Sequence, residues 1–174
     1  NVPLWGWAEP NSIVTIYTSW NKQDRMVKAD RSGKFVANLS TSVAGGPYEI
    51  SVSSKDTLKI NNVLLGEVWF CSGQSNMEMP LEGWETDSIL NSVKEIAQAD
   101  FPNIRLFNVS NKMSLIEEEM AQGSWKICNH ENAGEFSAVA YYFGRRISQE
   151  LDVPVGLIES TWGGTPIESW IPID

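Results

Sequence analysis

A serine can act as an acyl-transfer nucleophile when its hydroxyl is fixed at the rim of a sheet and nearby backbone N–H groups are free to meet an oxyanion. Gly73-Gln74-Ser75-Asn76-Met77 offers that combination after an apolar run. Gly73 lets the backbone pass close to a substrate, Gln74 precedes the hydroxyl, and Ser72 and Asn76 are polar groups able to hold the turn. The bare G-x-S pattern is common by chance, and the elbow form G-x-S-x-G is not met because position 77 is Met. The sole histidine, His130, lies in the polar loop Cys128-Asn129-His130-Glu131-Asn132 and reads as a solvated surface group. Glu117-Glu118-Glu119 reads as a solvated charged turn and Asp87 and Asp100 as residues flanking a helix. No carboxylate pair has a spacing that argues for glycosidase chemistry. Cys71 and Cys128 form no C-x-x-C pair, which argues against zinc and leaves both a disulfide and two buried thiols open.

The elements that must position Ser75 follow from periodicity. From Ile13 to Ile60 apolar residues alternate: Val14 and Ile16, then Phe35, Ala37 and Leu39, then Tyr48, Ile50 and Val52, then Leu58 and Ile60. Asp30-Arg31-Ser32-Gly33 and Gly45-Gly46-Pro47 supply turns between them. These features predict a small antiparallel β-sandwich over residues 1–62 and a second domain over 63–174.

In the second domain, Val63 to Cys71 reads as one strand buried on both faces. Asp87 to Ala99 has helical spacing, Ile104 to Val109 is a second strand, and Phe136, Val139, Ala140, Phe143, Ile147 and Leu151 form a helical stripe. Asn132 and Glu135 are placed like its capping box. Val153 to Ser160 is a third strand. Strand and helix alternate with short connections, which predicts an α/β fold: a three-layer α/β/α domain on a parallel sheet, with ligands at the carboxyl ends of its strands. With only three strands visible before Ile171-Pro172-Ile173-Asp174, the domain reads as incomplete at its carboxyl end, leaving an exposed parallel edge for a complementary segment or chain to occupy.

Composition narrows the partners. The 174 residues carry a formal charge of -9, a field that repels phosphate backbones and anionic lipid and argues against nucleic acid and membrane surfaces. No apolar stretch approaches the roughly 20 residues of a membrane span, and Asn1-Val2-Pro3-Leu4 lacks the features of a signal peptide. Eight tryptophans is a high number for this length. Trp5, Trp7 and Trp20 are candidates for stacking on sugars, or equally for filling a sandwich core.

The longer string from Gly66 through Cys71-Ser72-Gly73-Gln74-Ser75-Asn76-Met77-Glu78-Met79-Pro80 closely resembles the start of the sialate O-acetylesterase family. Phe136-Ser137-Ala138-Val139-Ala140-Tyr141-Tyr142-Phe143-Gly144 and Gly156-Leu157-Ile158-Glu159-Ser160-Thr161-Trp162-Gly163-Gly164-Thr165-Pro166-Ile167-Glu168-Ser169-Trp170 resemble two further signatures, in order. Trp5-Gly6-Trp7-Ala8-Glu9-Pro10 resembles its leading β-domain. The resemblance implies an SGNH-type serine esterase that removes O-acetyl groups from sialic acid or related sugars, without metal or organic cofactor. It implies Ser75 as nucleophile and an oxyanion site made by the N–H of Ser75 and of Gly164, in preference to Gly163. Glu168 falls in a structural place within that motif. The family's Gln-Gly-Glu segment and closing Asp-x-x-His are expected after Asp174, so the base would come from outside these residues and the chain alone would be inactive. A secreted or periplasmic location is implied too. The other expectations are a non-catalytic carbohydrate-binding or assembly fragment, and an acetylesterase for other polysaccharides.

Overall fold

The structure is a computed structural model describing residues 1–116 and 118–171. Two compact units divide the chain, Asn1–Gly66 and Glu67–Asp174. The first holds six strands: β1 (Val2–Trp7), β2 (Ile13–Thr18), β3 (Gln23–Lys28), β4 (Lys34–Leu39), β5 (Gly45–Ser53) and β6 (Thr57–Leu65). β1 pairs with β4, and β3-β2-β5-β6 form a second antiparallel sheet.

Alternation sets the core of this sandwich. Val14, Ile16, Phe35, Ala37, Leu39 and Ile50 point inward and are buried. The turn before β4 is held by Asp30, whose Oδ1 accepts from the N–H of Ser32 at 2.7 Å and of Lys34 at 3.0 Å. Gly33 sits there at φ +87, where an added Cβ would lie 2.5 Å from the Ala8 carbonyl oxygen. Two strands escape the period-two reading, β1 because Pro3 and Gly6 interrupt it and β3 because Gln23–Lys28 is largely polar. Leu58 and Ile60, expected to be half-buried, are exposed on the edge strand β6.

The second unit contains β7 (Glu67–Gly73), the short helix α1 (Ser75–Glu78), α2 (Ser92–Ala97), β8 (Asp100–Asn108), β9 (Trp125–Asn129), α3 (Ala138–Leu151) and β10 (Val155–Thr161), followed by a 3₁₀ turn at Ile167–Trp170. The sheet order is β7-β10-β8-β9. β10 runs parallel to β7 and β8, whereas β9 is antiparallel to β8, so the sheet is mixed and not wholly parallel. β9 went unseen in the sequence because its five residues include polar Lys126 and Asn129.

Several boundaries differ from expectation. The run Val63–Cys71 is two strands in two sheets, separated at Gly66. β7 is an edge strand, and its Val68 and Phe70 are 64% and 66% exposed, so it is not buried on both faces. β10, expected at an edge, is central, and among the described residues the parallel edge strand is β7. Helix α2 occupies only the end of 87–99, because residues 84–91 form turns closed by the hydrogen bonds of Trp84 N–H to Asp87 O and Asp87 N–H to Trp84 O.

α3 covers one face of the sheet through Ala138, Ala140, Tyr141 and Gly144, with Val139 and Leu151 turned outward. Its cap is Ser137, whose hydroxyl accepts from Ala140 N–H at 3.3 Å. Asn132 instead donates to Ile127 O and Asn129 Oδ1, and Glu135 is exposed. Tyr141 donates to Glu95 at 2.9 Å, and Arg145 pairs with the same carboxylate, tying α2 to α3.

Candidate active site

β7 ends at Gly73, where φ is +148, and Ser75 opens α1 one residue after Gln74. The turn closes through Met77 N–H and Glu78 N–H to Gln74 O, at 2.8 and 3.0 Å, and Met79 N–H to Ser75 O at 2.9 Å. As the first residue of a helical turn, Ser75 has an N–H with no intrahelical acceptor. Its side chain is half-buried, whereas Ser72, Gln74 and Asn76 are exposed.

β10 delivers the facing segment. Trp162 N–H donates to Gly73 O at 3.0 Å, which extends the β7–β10 pairing past the strand ends. Gly163 comes next to Ser75: a Cβ built on it would lie 3.4 Å from Ser75 Oγ. That Cβ would also lie 2.4 Å from Glu78 Oε2, so any larger residue would require the carboxylate to move. The N–H of Gly163 donates to that carboxylate oxygen at 2.8 Å. Gly164 has φ +76 and open space around its would-be Cβ. The turn is fixed by Thr165, whose hydroxyl donates to Trp162 O at 2.7 Å and accepts from Trp170 Nε1 at 2.9 Å.

Two acids near this arrangement carry roles that motif reading passed over. Glu78 bridges the serine turn to the glycine turn. Glu159 is 2% exposed and accepts from Ser137 N–H at 3.0 Å, Thr161 Oγ1 at 3.0 Å and Asn108 Nδ2 at 3.4 Å. Burial, and secondarily the charge of Glu78, pushes its carboxyl above the ordinary 4.5, against the lowering effect of the Ser137 and Thr161 hydrogen bonds. The signal was present: position 159 falls on the inward period of β10, with Val155, Leu157 and Thr161.

The remaining candidates lie elsewhere. Cys71 and Cys128 are free and buried. Burial pushes the Cys128 thiol up to about 12; burial and then the Glu159 charge raise that of Cys71. His130 is exposed in a turn. Glu117 lies outside the described residues, and Glu118 pairs with Lys112 at 2.7 Å. Among the described residues no group of three or more His, Cys, Asp or Glu side chains could hold a metal ion, and no helix is long and apolar enough to cross a membrane.

A serine after a parallel strand, faced by a glycine turn from the neighbouring strand, sits in a domain of the α/β class. Comparison with known proteins specifies it further. The chain is 33% identical over 185 residues to the sialate O-acetylesterase of Pongo abelii and 35% identical over 188 residues to that of Rattus norvegicus, covering 96% of this chain in each case. It superposes with a TM-score of 0.90 and 35% identity on a carbohydrate acetylesterase from Xanthomonas citri, over 97% of this chain and 38% of that one. Over the stretch it spans, the chain belongs with the sialate O-acetylesterases and carbohydrate acetylesterases in sequence and in fold. It spans about a third of the length of the curated relatives it matches. No family model matches it.

Proposed function

We propose that Ser75 is the nucleophile of an acetylesterase that removes O-acetyl groups from sialic acid or related acetylated sugars. The observation that carries this reading is the placement of Ser75 Oγ beside the Gly163-Gly164 turn at the carboxyl ends of two paired parallel strands. Ser75 Oγ would attack the acetyl carbonyl while its proton passes to a base. The tetrahedral oxyanion would be met by the N–H groups of Ser75 and Gly164, since that of Gly163 already donates to Glu78. Collapse would expel the sugar alkoxide, which takes the proton, and leave an acetyl group on Ser75; water would then release acetate by the reverse proton path.

The base in this proposal is a histidine oriented by an aspartate, both supplied by polypeptide beyond these residues. His130 is a poor substitute, exposed in a turn far along the chain from the serine segment. The supplying segment would also cover the apolar sheet face made by Val68, Phe70, Trp125 and Ile127, which is exposed here. A secreted or periplasmic setting would match this substrate. Trapping with an aryl acetate tests the proposal: acetyl mass should appear on the Ser75 peptide of the full-length protein and vanish in Ser75→Ala. Unchanged hydrolysis by Ser75→Ala would sink it.

A second reading, a carbohydrate-binding module, is favoured by Trp5 and Trp7. Both are about half exposed, edge-to-face at 5.5 Å, and line a cleft in the first unit. Trp20 does not join them, because it packs on Tyr48 and donates to Ser40 O. Glycan titration of the double variant Trp5→Ala, Trp7→Ala tests this: unchanged affinity removes the module.

A further inference from the structure

Behind the two turns of the candidate active site lies a carboxylate that belongs to neither. Glu159 projects inward from β10, the strand that leads to Gly163, and is 2% exposed. Its oxygens divide their partners between segments far apart in the chain. Oε1 accepts from the Thr161 hydroxyl at 3.0 Å, and Oε2 accepts from Ser137 N–H at 3.0 Å and Asn108 Nδ2 at 3.4 Å.

Each oxygen leads to one side of Ser75. From Oε1, Thr161 passes directly to Trp162, whose N–H donates to Gly73 O at 3.0 Å, and then to Gly163, whose would-be Cβ lies 3.4 Å from Ser75 Oγ. From Oε2, Ser137 stands opposite Pro80 in an antiparallel bridge. The flanking bonds, Leu81 N–H to Phe136 O and Ala138 N–H to Met79 O, are both 2.9 Å, and Met79 N–H returns to Ser75 O at 2.9 Å. One oxygen is thus fastened to the strand that delivers the glycine turn, the other to the segment that leaves the serine turn. Glu78 joins the same two turns directly. Glu159 joins them from the interior.

An acid is poorly suited to this place as a matter of stability. Burial disfavours its charge, and the ionisable groups that face it, Glu78 on α1 and the Cys71 thiol on β7, bring no opposite charge. A hydrocarbon side chain, however, would leave the N–H of Ser137, a residue with no exposure, without its acceptor. A buried polar network whose members are satisfied fixes one arrangement of the chain around it. Here that arrangement includes the distance between Ser75 and the facing glycines.

We propose that Glu159 is a positioning residue of the esterase: by holding Thr161 and Ser137 at once, its carboxylate sets the separation of the Ser75 hydroxyl from the Gly163-Gly164 turn. The proposal rests on the reading of Ser75 given above and adds a residue that acts on that site without touching substrate.

The test uses the full-length protein and 4-nitrophenyl acetate, with kcat, KM and melting temperature measured for each variant. Glu159→Ala cuts both connections and should lower kcat about tenfold to a hundredfold with KM changed less than about twofold, the scale of a displacement near 1 Å. Glu159→Gln removes the charge and keeps the bonds, because its amide oxygen can accept from Ser137 and Asn108 while its NH2 donates to the Thr161 hydroxyl oxygen. It should stay within about threefold of the natural kcat, a margin well inside the loss that misplacement brings. Thr161→Val cuts one connection alone and should lower kcat about fivefold or more, yet cost less than about a further twofold when added to Glu159→Ala, as two members of one network do. A residue serving stability alone would move the melting temperature and leave kcat in place.

Unchanged kcat in Glu159→Ala and Thr161→Val, or a loss in Glu159→Gln equal to that in Glu159→Ala, would overturn the proposal. Should Glu159→Ala fail to fold, the other two variants decide: a kcat loss in Thr161→Val with kcat kept in Glu159→Gln supports the proposal, and any other pair of results overturns it. Ser75→Ala separates this proposal from the reading beneath it. Ser75-dependent hydrolysis that is indifferent to Glu159→Ala and Thr161→Val would overturn the positioning role and leave the esterase standing. Hydrolysis unchanged in Ser75→Ala would overturn both.

Discussion

The carboxylate of Glu78 accepts the Gly163 N–H at 2.8 Å and so ties the turn carrying Ser75 to the turn that follows β10. One residue, three positions beyond the serine on the same helical turn, thereby sets the spacing between hydroxyl and facing glycines. Glu78→Ala should lower kcat on an aryl acetate by about tenfold to a hundredfold with little change in KM, because displacement of about 1 Å can cost that much. Glu78→Gln keeps an acceptor oxygen and should retain most of the rate. Equal losses in the two variants, or a lower melting temperature without a kcat effect, would reduce Glu78 to a structural part.

Gly163 and Gly164 should respond differently to alanine. At Gly163 the added methyl would lie 2.4 Å from the Glu78 carboxylate and 3.4 Å from Ser75 Oγ, so the carboxylate must swing away, its bond to the 163 N–H is lost and activity should fall. At Gly164 the space is open and the cost is backbone strain at φ +76, roughly 1–2 kcal/mol. Gly163→Ala is therefore expected to lose more kcat than Gly164→Ala, while thermal unfolding shifts in both. The reverse order would mean that the facing turn is not held as described.

Much of this site was legible in the chain. The extended string around Ser75 and the glycine motif put Ser75 and the facing turn at strand ends, because positional demands on Gly and Ser leave a mark in residue type. The acids did not announce themselves. Glu78 works through a contact with position 163 that only the fold creates, and Glu159 is marked by period two alone. Sheet order was likewise hidden: nothing in the apolar content of Val155–Thr161 says that β10 lies between β7 and β8. Helix α3 was read on the right residues, yet its inward face is shifted toward Tyr141 and Gly144, since a glycine that admits Leu157 carries no hydrophobic signal.

That close approach gives a stability prediction. A methyl added at Gly144 would lie 2.5 Å from Leu157 Cδ1 and 3.0 Å from its Cγ, and Leu157 is fully buried. Overpacking of this kind costs about 1–3 kcal/mol, more than the gain of up to about 1 kcal/mol in helix propensity from Gly to Ala. Gly144→Ala should lower the midpoint of denaturant unfolding, and the added Leu157→Val change should recover part of it. A rise in the midpoint for Gly144→Ala alone would contradict the packing.

Glu159 should leave a pH signature opposite to that of a salt-bridged acid. Its folded carboxyl is raised above the ordinary 4.5 because burial disfavours the charge. The folded state then holds the proton more tightly than the unfolded state, so stability is greatest below about pH 4.5 and is lost as pH rises through the folded value. Beyond that point the penalty is constant. The unfolding free energy of the natural protein, minus that of Glu159→Gln, should therefore fall with rising pH above 4.5 and then level off. A difference that rises over the same window would show that the three donors from Ser137, Thr161 and Asn108 outweigh desolvation.

The thiols provide the last check, on the second unit's core. Cys71 and Cys128 are buried and free, and Cys128 is pushed up to about 12, so at pH 8 its thiolate fraction is about one part in ten thousand. Thiolate is the reactive form, and burial also blocks approach of the reagent. Native protein treated with iodoacetamide at pH 8 should keep both thiols unmodified, and denaturation should expose both, with or without prior reductant. Rapid labelling of Cys128 in the native protein would mean that the interface of β9 with the residues around Ala133 and Tyr141 opens readily. Recovery of the denatured thiols only after reduction would instead establish a disulfide and overturn the free-cysteine assignment.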